Sequence, residues 1–98
     1  MKPWYVYILR CRDGTLYTGI AVDLSRRVCA HENGTAAKYT RSRRPVALVH
    51  RELQPDRSSA LRREAALRRM GRAGKLSLIA ASSEVGSRSG GGSPRGSE

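Results

Sequence analysis

Cysteine is scarce in this chain: Cys11 and Cys29 stand alone, with no close pair and no Cys/His spacing suited to zinc. Neither a disulfide scaffold nor a structural zinc is indicated. Long apolar runs are missing as well. The run that follows Met1-Lys2-Pro3 is interrupted by Arg10, Arg12 and Asp13, so it reads neither as a secretory signal nor as a membrane span, and the expected compartment is the cytoplasm. There is no internal repeat, glycine-rich phosphate loop or dinucleotide fingerprint; Gly14 and Gly19 are isolated and read as turn residues. A length of 98 residues allows one domain and excludes a doubly wound sheet.

Acidic residues are few. Eight Asp and Glu face nineteen Lys and Arg, for a net charge of +11. Most of that charge lies ahead of the Gly/Ser-rich segment 81–98, which has one large apolar residue, Val85, and cannot recover its ordering entropy by burial. The expectation is therefore a domain over residues 1–80 and a disordered tail over 81–98. A field of this sign favours polyanionic partners, and on charge alone RNA is as compatible as DNA. The charge is also clustered: Lys38, Arg41, Arg43 and Arg44 fall within seven residues and are the expected nucleic-acid contacts, while Arg57, Arg62, Arg63, Arg68, Arg69 and Arg72 load one predicted helix.

Tyr5-Val6-Tyr7-Ile8-Leu9 is dense in β-formers, and the turn signal Asp13-Gly14 makes Thr15 to Ile20 the returning strand of a hairpin. Asp23 can cap a helix from Leu24 to about Glu32, stopped by Asn33-Gly34, with a short helix over Ala36 to Tyr39. Pro45 marks the entry to a third strand, Val46 to Leu53, which Pro55 and Asp56 end. Asp56 or Ser58 then begins a long helix to Met70, broken by Gly71, and Arg72 to Ile79 adds a short helix with Leu76 and Ile79 on the core. This order predicts an α+β domain with a small, three-stranded, mainly antiparallel sheet flanked by helices.

Three groups of polar residues fall where apolar ones are expected. Leu24, Arg27, Val28 and His31 share one face of the first helix, so Arg27 and His31 lie on its core-facing stripe. Arg27 either sits at the margin with its head in solvent or meets a phosphate; His31 either caps the helix end or takes part in proton chemistry. Glu64 falls in the arc of the long helix defined by Ala60, Leu61, Leu67 and Gly71, and it is the one acid between Arg57 and Gly74. It pairs with Arg68 one turn on, or it offers a hard oxygen to a divalent cation. Tyr5 and Tyr7 share a strand face and Tyr17 lies on the paired strand, positions that suit ordinary sheet packing or the holding of a water and a phosphate oxygen.

In this order the residues resemble the GIY-YIG nuclease domain, in particular its small stand-alone bacterial type. Tyr5-Val6-Tyr7 stands for the first motif, without its initial glycine, and Tyr17-Thr18-Gly19 for the second. The stretch Asp23 to His31 resembles the family's helix, Ala37 to Val46 the loop that follows, and Arg63-Glu64 the position of the metal-binding glutamate; the likeness covers residues 3 to 80. It implies a divalent-metal-dependent endonuclease that hydrolyses DNA, in preference to RNA, around Mg2+ or Mn2+. Tyr7 and Tyr17 would orient or deprotonate water, Arg27 would stabilise the developing phosphorane charge, and Glu64 would hold the metal. Ile20 stands where repair-type members carry a lysine, which leaves His31 to supply that proton chemistry. With no second domain to choose a site, structure-dependent action without strong sequence specificity is expected, and a nucleic-acid-binding module that does not cut is the alternative.

Overall fold

A computed structural model describes residues 2–89. Three strands, β1 (Trp4–Arg10), β2 (Leu16–Ala21) and β3 (Ala47–Gln54), form one antiparallel sheet in the order β2-β1-β3. Helices α1 (Leu24–Asn33) and α2 (Lys38–Arg41) follow the hairpin, and α3 (Arg57–Ser89) follows β3. The α+β architecture is the expected one.

The central strand explains the layering. Successive side chains of a strand point to opposite faces, and β1 is apolar on both. Tyr7, Leu9 and Cys11 pack with Ala21, Leu24 and Val46 beneath α1, whereas Val6 and Ile8 pack with Ala60 and Leu67 beneath α3. Helices therefore cover both faces of a sheet whose two outer strands keep free edges.

Local chemistry sets the element ends. Asp13 Oδ1 accepts from the Thr15 amide and hydroxyl and closes the hairpin turn. The Arg26 amide donates to the Asp23 side chain at the start of α1, and Gly34 ends that helix in the left-handed conformation, its N–H donating to the carbonyls of Ala30 and His31. The Ser59 amide donates to Asp56 in the same way at the start of α3.

α3 is two helical arms joined at Gly71, whose backbone (φ 73°, ψ −176°) is not helical. The second arm returns Leu78 and Ile79 to the core, not Leu76, which is 40 % exposed. Which face of the second arm meets the sheet is set by the non-helical turn at Gly71, and the spacing of apolar residues within that arm does not report it. The helix runs on to Ser89, past the boundary expected at residue 80, because Ala80 and Ala81 are strong helix formers extending an existing helix. The remainder of the expected tail, 90–98, lies outside the described residues.

Candidate active site

Tyr7 is 1 % exposed, and its hydroxyl is shaped by three neighbours. It is hydrogen-bonded to Nε2 of His31 at 2.8 Å, and Nδ1 of the same ring meets Thr40 Oγ1 at 2.8 Å. Thr40 donates its hydroxyl hydrogen to the Ala37 carbonyl at 3.2 Å. One donor order satisfies all three contacts: Nδ1–H donates to Thr40, and Nε2 accepts from the Tyr7 O–H. His31 is itself 1 % exposed, and burial, followed by the charge of Arg27, holds its pKa below the ordinary histidine value. It is a neutral acceptor, not the helix cap that was one reading of its position, since Gly34 fills that role.

Gly19 is the third neighbour. It lies within β2 opposite Tyr7, so it is not a turn residue as its isolation in the sequence suggested. A Cβ there would fall 2.5 Å from the Tyr7 oxygen and 2.6 Å from Cζ. The phenol thus crosses β2 through the gap that glycine leaves, toward the free edge of an outer strand.

Tyr17 packs edge-on against His31, ring centroids 5.2 Å apart, and stacks on Tyr39 at 5.7 Å. The protonated form of Tyr7 is strongly favoured: burial pushes its pKa well above the usual tyrosine range, Tyr17 and Glu64 push the same way, and Arg27 opposes them. All four expected groups around this hydroxyl, Tyr17, Arg27, His31 and Glu64, therefore act on it. Arg27 is exposed, with its head free to meet an anion despite its place on the helix stripe. Glu64 arrives from the other face of the sheet on α3, with Arg68 donating to its Oε2 at 3.0 Å and to the Thr18 carbonyl at 3.2 Å.

The four basic residues of the loop divide. Arg43 is tied to Asp13 and to the Tyr39 carbonyl, with its guanidinium 4.0 Å above the Tyr39 ring; Arg44 donates to the carbonyls of Arg41 and Glu32. These two brace the loop. Lys38 and Arg41 are exposed, and neither forms an ion pair among the described residues. Sequence reasoning missed Tyr39 and Thr40, and read Arg68 only as the pair of Glu64, a contact the structure contains. An aromatic inside a basic run was the available signal for Tyr39; Thr40, and the reach of Arg68 to the Thr18 carbonyl, are visible only through distant partners.

Among the described residues no three His, Cys, Asp or Glu side chains gather where they could cage a metal. A single carboxylate fits magnesium, which keeps several waters and is held by one or two carboxylates plus substrate phosphates. No described helix is long and apolar enough to cross a membrane.

Comparison with known proteins bears on the fold and the family. The chain is 48 % identical over 79 residues to a UPF0213 protein of Staphylococcus saprophyticus, covering 81 % of this chain and 96 % of that one. It is 49 % identical over 81 residues to a UPF0213 protein of Xanthomonas axonopodis, covering 83 % and 79 %. A solution NMR structure of a UPF0213 protein from Bacillus halodurans superposes with a TM-score of 0.53 at 40 % identity over 81 % of this chain and 84 % of that one. A solution NMR structure of an E. faecalis protein gives 0.58 at 40 % identity over 83 % and 86 %. The family model described as the GIY-YIG catalytic domain matches residues 3–76, most of the chain, and the chain belongs to the GIY-YIG family.

Proposed function

We propose that this protein is a divalent-metal-dependent endonuclease that hydrolyses DNA phosphodiesters, choosing its substrate by structure more than by sequence. The observation that carries the reading is the convergence on one buried hydroxyl: Tyr7 bonded to a neutral His31 at 2.8 Å, with Tyr17, Arg27 and Glu64 acting on it electrostatically.

A phenol so far from ionising cannot wait as a free phenolate. It can relay: as Tyr7 oxygen takes a proton from the attacking water, its own proton passes to His31 Nε2, and Nδ1 keeps its hydrogen, donated to Thr40. Tyr17 helps orient the water, and exposed Arg27 offers charge to the phosphoryl oxygens where it develops. Glu64 would hold Mg2+ or Mn2+, which supplies charge neutralisation at those oxygens. Lys38 and Arg41 supply phosphate contacts that carry no sequence information. Both cysteines are free, which suits the cytoplasm.

The test is single-turnover cleavage of a panel of nicked, flapped and branched DNAs with magnesium or manganese. The Glu64→Gln variant should keep its fold and its metal-free binding while cleavage falls about a hundredfold or more. Parental cleavage by a folded Glu64→Gln protein would remove Glu64 from the site. One observation favours a second reading, a nucleic-acid-binding module that does not cut: Glu64 is already engaged by Arg68. Tight binding by the parent with no cleavage on the whole panel would select it.

A further inference from the structure

Lys75, on the second arm of α3, is 9 % exposed and has no hydrogen-bond or ion-pair partner among the described residues. It lines a cavity of about 210 Å³ with Thr15, Leu16, Gly71 and Arg72. No carboxylate belongs to that lining. The acid nearest in sequence to Thr15, Asp13, is held by Thr15 and Arg43. The charges that bear on Lys75 are of its own sign. Arg72 shares the lining, fixed by its bond to the Gly14 carbonyl, and burial and then Arg68 hold the lysine pKa below its ordinary value.

Buried charges in native proteins are paired, hydrogen-bonded or neutralised. The stem of Lys75 is buried while its nitrogen opens onto the cavity, where it has like charges beside it and no carboxylate in the described lining, so its match is an anion from outside. A water takes about 30 Å³, so the cavity has room for a tetrahedral oxyanion and some residual water. The space beside Gly71 is open as well, since a Cβ there would meet nothing within 4 Å. Arg68 connects this cavity to the candidate active site, because it bonds Glu64 and also acts on Lys75.

We propose that the cavity beneath the Gly71 turn is a phosphate pocket, with Lys75 inside and Arg72 at its wall, and that it receives a backbone phosphate of the bound nucleic acid beyond the scissile one. Only the source of the phosphate rests on the function proposed above; the pocket does not.

Two measurements on the full chain test it, each with the parent and Lys75→Met. The first is the thermal unfolding midpoint as phosphate replaces chloride at constant ionic strength, with Arg69→Met as a control for diffuse anion binding. Phosphate should raise the midpoint of the parent and of Arg69→Met more than that of Lys75→Met. Lys75→Met should itself fold, since it keeps an unbranched apolar stem of nearly the same length where the lysine stem is buried. The second is metal-free DNA binding against salt, where Lys75→Met should lower the slope of log affinity on log salt by about one. Equal phosphate responses in the parent and Lys75→Met overturn the pocket. A lost phosphate response beside an unchanged salt slope keeps the pocket but assigns it to free phosphate and overturns the backbone contact. A parent that does not bind DNA defeats the proposed function, while the phosphate response still decides on the pocket.

Discussion

At the scale of single residues, His31 and Gly19 hold Tyr7 in place, and both can be probed without catalysis. Because its folded pKa is lowered, His31 binds a proton less readily in the native state than in the unfolded one. The resulting stability is full above the unfolded pKa and is lost as pH falls through the folded pKa. The His31 ring should therefore titrate, by proton NMR, below an ordinary histidine, and Arg27→Gln should move it part of the way back up. A ring titrating at the ordinary value would remove the neutral acceptor from the relay. Gly19→Ala places a methyl against a phenol whose tip is buried and bonded, so it cannot swing aside cheaply. A loss of about 1–3 kcal/mol is expected in urea unfolding. Unchanged stability would mean that the ring does not cross the strand there.

Elements are held in place by a few long-range polar contacts. Arg63 on α3 donates through Nε and an Nη to both oxygens of Glu52 on β3, at 2.7 and 3.0 Å, and His50 Nε2 lies 2.8 Å from the same carboxylate. The hydrogen bond from Arg63 is the main cause of a lowered Glu52 pKa, so this contact stabilises the fold above the unfolded carboxylate pKa and fades as pH drops through the folded value. Glu52→Gln should reduce stability by about 1–3 kcal/mol near neutral pH and flatten the acid limb of a midpoint-against-pH curve. An unaltered acid limb would place acid sensitivity elsewhere. The elements themselves were legible wherever the signal was local: Asp23 and Asn33-Gly34 bracket α1, Asp13-Gly14 sets the hairpin, and Gly71 breaks α3. What was not legible depends on a distant partner or on phase. Gly19 passes for a turn glycine until Tyr7 lies over it, the choice between Leu76 and Leu78 depends on how the second arm leaves Gly71, and the tie of Arg63 to Glu52 spans two elements. The candidate site was readable as a set of residues through the family likeness, while the Tyr7–His31–Thr40 chain needed coordinates.

For the molecule as a whole, the surplus of positive charge is the dominant property. The net charge of +11 already sets every acid against a base, so pairing within the chain cannot reduce it. Affinity for duplex DNA should fall at least about tenfold between roughly 50 and 200 mM salt. It should differ little among duplexes of equal length and shape, as read by fluorescence anisotropy. Salt-insensitive binding to one sequence would contradict a phosphate-led interface. The arginine laid along β2 has one more effect. An outer strand is a template on which another chain can stack, and β2 is such a strand. Arg68, donating to the Thr18 carbonyl, sets a charge where an incoming strand would have to bury it. The same side chain that neighbours Glu64 thus acts as a gatekeeper against aggregation, closing this edge to copies of the protein's own sheet.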